Sequence, residues 1–166
     1  DALPILLQRY RDGEAALTAF AEDYAFAIWG MLELYEATFE AKHLQTALDL
    51  NRDLLQHFWD TENGGLYSTP DDGEELLVRR KEVYDGAIPS ANSVTMLNLL
   101  RLSRITADPE LEKRAAETGK AFSADVNSAP VAYTQLMCAL DFAIGPSHEV
   151  VIAGALRAQD TQAMIK

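Results

Sequence analysis

A single cysteine, only three histidines and a minority of basic residues each close off a class of function. Cys138 has no partner for an internal disulfide, which fits a reducing compartment, and a cytoplasmic location is the expectation. His43, His57 and His148 lack the local spacing of metal ligands, so no metal is expected. Lys and Arg number 14 against 26 Asp and Glu, a net charge of −12. That field repels phosphate backbones and anionic lipid, which argues against nucleic acid and membrane surfaces as partners. The longest apolar run, Tyr24 to Leu32, falls well short of the ~20 residues that span a bilayer. GxSxG, P-loop and dinucleotide fingerprints are missing too, and no cofactor is expected. The segment DTENGG (60–65) starts like a calcium loop, but Gly64 occupies a ligand position.

What is present is helical periodicity. Apolar residues run densely from Phe20 to Thr38, predicting a helix buried on most sides. From Lys42 to Trp59 the apolar positions Leu44, Leu48, Leu54, Leu55 and Phe58 alternate with polar ones, predicting a half-exposed helix. The same succession returns further on. Aligning Met31–Leu50 with Leu99–Thr118 puts Leu34 on Leu102 and Thr38 on Thr106, and Asp108-Pro109 opens the second outer helix. A third inner helix is expected over Pro130–Ala143, stopped by Gly145-Pro146. Inner–outer pairs in succession indicate a mainly all-α chain, either a solenoid or a closed α/α toroid.

Two stretches break the pattern. Gly64–Val83 carries strand-like runs around Pro70-Asp71-Asp72-Gly73, and a β-hairpin is expected over about 64–83, with Gly73 in the left-handed position. Glu149–Ile152 is a β-branched run and reads as a short C-terminal strand. The chain opens on Asp1 without a methionine and closes on DTQAMIK, which reads as a helix just begun. The expectation is therefore a fragment, residues 1–166 of one longer toroid domain.

Inner helices that run parallel present their N-terminal ends on one rim. Asp23 falls in the first turn of the first inner helix and Asp85 just before the second. Neighbouring helix axes lie about 8–10 Å apart, a gap across which two carboxylates suit acid/base chemistry on a sugar. The competing reading is structural: aspartates favour helix N-termini, and an aspartate before a glycine ties down a turn. Ser90 is a good N-cap for the second inner helix, and Asn92 follows in its first turn as a ligand contact. Tyr24 and Tyr84 flank the rim as sugar-stacking faces. Arg79 and Lys81 lie on one side of the expected hairpin, with Arg80 and Glu82 on the other. Lys81 is the ligand-binding candidate among them, a solvated hairpin face the alternative. Cys138, inside an apolar segment, reads as packing.

Glu22-Asp23-Tyr24-Ala25, Phe58-Trp59-Asp60 leading to Gly64-Gly65, and Lys81-Glu82 with Tyr84-Asp85-Gly86-Ala87-Ile88-Pro89-Ser90 and Asn92-Ser93 resemble the spermatogenesis-associated protein 20 family. Ala91 stands where that family usually has glycine, and Arg80 where proline is usual. The resemblance implies a later part of a six-hairpin (α/α)6 toroid, without the thioredoxin-like domain that precedes it in the family. Such toroids are similar to those of N-acylglucosamine and cellobiose 2-epimerases and of related glycoside hydrolases. Those epimerases move protons with histidines, and no histidine here falls near the rim.

The expected function is accordingly carbohydrate binding, or acid/base processing of a carbohydrate by a glycoside hydrolase-like or epimerase-like site. The alternative is a non-catalytic interaction scaffold working with a linked thioredoxin-like domain. A fragment that exposes inner-helix faces is expected to form homo-oligomers or to associate with the remainder of the toroid. Sedimentation of the isolated chain checks this: a dimer or larger species is expected, and a monodisperse monomer contradicts it.

Overall fold

The computed structural model describes residues 6–73, 77–146, 148, 150–155 and 157–165. Strands β1 (Leu7–Arg11) and β2 (Glu14–Thr18) form an antiparallel hairpin. Helices follow as α1 (Ala21–Thr38), α2 (Ala41–Phe58), α3 (Ala91–Thr106), α4 (Pro109–Ala121) and a short α5 (Ser123–Ser128). A 3-10 turn, Pro130–Ala132, leads into α6 (Thr134–Ile144), and α7 (Gln159–Ile165) comes last. Helices α1, α3 and α6 stand side by side, with α2 packed on α1 and α4 on α3. No described helix is long and apolar enough to cross a membrane.

The repeat read from the sequence recurs in local geometry. Thr38 and Thr106 each donate their hydroxyl to the carbonyl four residues back, on Leu34 and Leu102, both at 2.7 Å. Helices α1 and α3 then each end on a non-glycine residue in left-handed conformation, Phe39 at φ 55° and Ala107 at φ 57°. Carbonyls freed at a helix end are satisfied by such a reversal. After the second one, the Asp108 carboxylate accepts from the Glu110 N–H at 3.0 Å and Pro109 takes the first helical position, so α4 starts as expected.

Direction follows from side-chain contacts. Asn98, in the second turn of α3, donates its amide to the Ala25 carbonyl of α1 at 2.8 Å. One turn further on, Arg101 reaches Glu33 and Glu36, both at 2.8 Å, further along α1 as well. The two helices therefore run the same way. Helices α3 and α6 both begin beside Asp85, so all three inner helices start at one end of the molecule.

Burial departs from expectation in one respect. Helix α3, not α1, is enclosed on most sides: Val94, Met96, Leu99, Leu100 and Leu102 are buried together with Asn92, Ser93, Thr95 and Asn98. Helix α1 buries one stripe, Ala21, Tyr24, Ala25, Ile28 and Leu32, and leaves Leu34 exposed. Its sequence is apolar all round, but α2 and α3 cover only two of its sides. Cys138 is exposed on α6 rather than packed, because Leu136 and Ala139 hold the buried positions there.

The hairpin also lies elsewhere than expected. Described residues within 64–83 contain no named strand; the legs meet through one backbone bond, the Ser68 N–H to the Arg80 carbonyl at 2.8 Å. Gly73 does not adopt a positive φ. The paired hairpin is β1–β2, whose two-residue turn places Asp12 at φ 53° and Gly13 at φ 87°. Two left-handed residues in succession give the turn whose twist suits paired strands, and Asp-Gly is its preferred sequence. Of the expected C-terminal strand, residue 149 lies outside the described residues, and 150–152 carry no strand.

Asn98 is buried and holds α3 to α1, so Asn98→Ala is expected to cost about 1–3 kcal/mol. The exposed Gln45→Ala should stay within about 0.5 kcal/mol. Urea unfolding of both variants checks the difference.

Candidate functional site

Asn92 opens α3 fully buried, and all of its hydrogen bonds go to the main chain. Its Oδ1 accepts the Leu66 N–H at 2.7 Å, while Nδ2 donates to the Leu66 carbonyl at 3.0 Å and the Glu82 carbonyl at 2.8 Å. A side-chain amide pairing with both the N–H and the C=O of one residue acts as a strand partner would. Residues 66 and 82 are thus joined through Asn92 instead of through each other, which accounts for the missing ladder. Ser90 caps the helix: its Oγ accepts the Ser93 N–H at 3.2 Å and bonds the Ser93 hydroxyl at 2.9 Å.

Asp85 is buried just before this cap. Its Oδ1 accepts the Ser90 N–H at 2.9 Å, closing the 85–90 loop, and Oδ2 accepts from Gln135 at 2.8 Å and Leu136 at 3.2 Å. The last two N–H groups belong to the first turn of α6, where an anion is favoured by both unpaired donors and the helix dipole. The Asp85 N–H in turn donates to the Ala132 carbonyl at 2.9 Å. One carboxylate therefore fastens the loop before α3 to the start of α6.

A third buried group was not singled out from the sequence. Asp60, 5% exposed, follows α2 and folds Thr61–Asn63 round itself. Its carboxylate accepts from the N–H groups of Glu62 at 2.9 Å and Asn63 at 3.0 Å, from the Asn63 amide at 3.2 Å and from the Tyr67 hydroxyl at 3.0 Å. Lys81 pairs with the same carboxylate and donates to the Gly64 carbonyl at 2.7 Å. Burial alone would push the Asp60 pKa up, but Lys81 and these donors outweigh it and hold the carboxyl well below the usual range. The same contact raises the Tyr67 pKa, since its hydroxyl donates to a carboxylate. Arg79 and Lys81 do share a side, as expected: both lie over the Tyr67 ring, 4.3 and 5.2 Å from its centroid. The readable signal was Asp60 followed by Asn63-Gly64-Gly65. Gly64 and Gly65 take φ 74° and 77°, and a Cβ on either would come within 2.9 Å of Glu117 or Phe122.

The remaining candidates are less tightly engaged. Asp23 is half-buried, and its Oδ2 accepts the Phe20 N–H at 2.8 Å as half of a capping box; Oδ1 has no partner among the described residues. Tyr24 is buried, its hydroxyl accepting the Leu6 N–H at 3.1 Å. Burial raises the Tyr24 pKa, with the charges of Asp53 and Asp72 adding to it and the Leu6 N–H partly offsetting it. Tyr84 is 57% exposed. A Cβ at Gly86 would meet the Tyr84 ring at 3.1 Å, so the ring rests directly on that glycine. Asp85, Ser90 and Asn92 are thus brought together, Lys81 joins them through Glu82 and Gly64, and Asp23 sits at the start of α1. A cavity of about 310 Å³ between α3, α4 and α6, lined by Met96, Leu100 and Leu140 among others, contains none of these residues.

These features define a helix-pair segment whose inner ends are tied together by buried carboxylates and an amide. No family model matches the chain. The chain is 38% identical over 148 residues, 89% of its length, to spermatogenesis-associated protein 20 of Rattus norvegicus, and equally to that of Homo sapiens. A Caenorhabditis elegans protein named uncharacterized protein B0495.5 is 32% identical over 128 residues, 77% of this chain. The chain is therefore homologous to a segment of spermatogenesis-associated protein 20, as its motifs led one to expect. It spans about 19% of the length of the rat and human relatives.

Because the Asp60 pKa is lowered on folding, the stability it contributes is present above its unfolded pKa, about 3.9, and is lost as pH falls below that value. Asp60→Asn, which leaves Lys81 without its buried partner, should cost about 3–5 kcal/mol at pH 7. The deficit should shrink on acidification. Urea titrations at pH 7 and pH 3 measure it.

Proposed function

We propose that the chain is a sector of an α/α toroid whose inner-helix ends contribute to a site for a hydroxyl-rich ligand of the carbohydrate class. The carrying observation is Tyr84: an exposed ring, seated on Gly86, at the end where α1, α3 and α6 begin. An aromatic face held in place loses little entropy when a sugar ring stacks on it. Two residues before it Glu82 is exposed with no side-chain partner among the described residues, and at the start of α1 Asp23 keeps one free oxygen. In this reading Asp23 is the group able to accept from a ligand hydroxyl or move a proton. Asp85, Ser90, Asn92 and Lys81 are positioning residues, because their polar atoms are committed to main chain or to Asp60. Tyr24 supports the rim from inside the core.

The same reading supplies occupants for the apolar edges. Leu77, Val78, Ile144, Val150 and Val151 are strongly exposed, and neighbouring sectors of the toroid, or a second copy of an isolated sector, would cover them.

Saturation-transfer NMR on the full-length protein with a panel of mono- and disaccharides tests the proposal. At least one sugar should bind, and Tyr84→Ala should weaken it by about 2- to 12-fold, the range of one lost stacking contact. Absence of binding across the panel, or full affinity in Tyr84→Ala, contradicts it.

A further inference from the structure

We propose that His57, Asp71 and Asp72 form a site for a divalent transition-metal cation of the zinc class. His57 occupies the last turn of α2, and the two aspartates come from the turn that follows Pro70. The Nδ1 of His57 lies 2.9 Å from Asp71 Oδ1 and 3.6 Å from Asp72 Oδ2. One donor atom from each residue falls within 4.8 Å of the others. Bonds of about 2.0–2.2 Å from a zinc ion to imidazole nitrogen and carboxylate oxygen fit inside such a triangle after small side-chain rotations. Fourteen and fifteen residues separate His57 from the aspartates, so local spacing in the sequence does not reveal the set.

The turn is built onto the helix end. The Asp71 N–H donates to the His57 carbonyl at 2.9 Å, and Arg79 donates to that same carbonyl at 2.9 Å and to the Thr69 carbonyl at 3.1 Å. The backbone at His57 and Asp71 is therefore fixed before any cation arrives, which lowers the cost of assembling the donors. Charge is unbalanced at the same place. Among the described residues the two carboxylates have His57 as their ion-pair partner, hydrogen-bonded to Asp71, and no Lys or Arg; Arg79 is directed at carbonyls. A divalent cation neutralises both.

An observation separate from the carboxylates also points to a bound group. A cavity of about 10 Å³ lies against His57 and Asp72, walled by Thr18, Tyr24, Phe58 and Pro70. That is the room one water needs. Tyr24 is 2% exposed, and its hydroxyl accepts from Leu6 but has no acceptor for its own proton among the described residues. A water held in that cavity, between Tyr24 and the donor set, would supply that acceptor. One imidazole nitrogen with two carboxylate oxygens favours zinc, cobalt or manganese over calcium and magnesium, which prefer all-oxygen sets.

Titration of the full-length protein, stripped with chelator, with zinc chloride and separately with cobalt chloride tests the site. One equivalent is expected to bind, with cobalt giving the visible absorption of a low-coordinate complex. His57→Ala and Asp72→Asn should each weaken zinc at least about 100-fold, since loss of groups that merely orient ligands already costs ~10–100-fold. His43→Ala should bind as the unaltered protein does. Asp71 and Asp72 have side chains 55% and 41% exposed, so circular dichroism of their asparagine variants should match the parent. No saturable zinc binding, equal affinity in a His57→Ala/Asp72→Asn double variant, or calcium competing as well as zinc would overturn the proposal.

Discussion

Asn92 does the work of a missing strand, and the shape of the inner end depends on it. A carboxamide carries one acceptor and two donors, and here every one of those functions meets a main-chain group of a segment whose described residues form only isolated pairings, such as the bridge between Trp59 and Leu66. Buried backbone without partners costs several kcal/mol, so irregular stretches such as 59–73 and 77–90 are tolerable only when side chains complete them. Asp60 and Asp85 do the same on either side. The first folds 61–67 around its carboxylate, and the second joins the loop before α3 to the first turn of α6. Asp85 thereby fixes where α3 and α6 begin, while the apolar core of α3 fixes how the helices around it pack.

Much of this was legible in the sequence where local rules dominate. The limits of α1 and α2, the Ser90 and Asp108 caps and the Thr38/Thr106 correspondence follow from patterns spanning a few residues, and the structure reproduces them, whereas the helix expected from Pro130 begins only at Thr134, after a 3-10 turn. The Asp12-Gly13 turn belongs to the same readable class, whereas Pro70–Gly73 opens no paired hairpin among the described residues. Long-range pairing was beyond a local reading. Nothing near position 66 announces that its hydrogen bonds go to Asn92, and nothing near 85 announces Gln135. The burial of α1 was overstated because periodicity reports how apolar a helix is, and its coverage depends on neighbours in space.

The polar groups that drew attention as chemistry are, in geometry, mostly groups that hold backbone. Asp85, Ser90, Asn92 and Lys81 form part of one connected network, and mutating any of them would disturb the rim whether or not a ligand binds there. Loss of activity in such variants would therefore not identify a catalytic residue, whereas Tyr84 is exposed and separates binding from folding. The homology covers about one fifth of the length of spermatogenesis-associated protein 20.

Native-state hydrogen exchange on Asp85→Asn tests the central claim, that this carboxylate fastens the 85–90 loop to the start of α6. An amide side chain can still accept hydrogen bonds but carries no charge to set against the N-terminal N–H groups of α6. The account predicts that the amides of Ser90, Gln135 and Leu136 exchange faster, while those in the middle of α1 and α2 keep their protection. Unchanged exchange at those three amides would contradict it, and so would a uniform loss of protection across every helix.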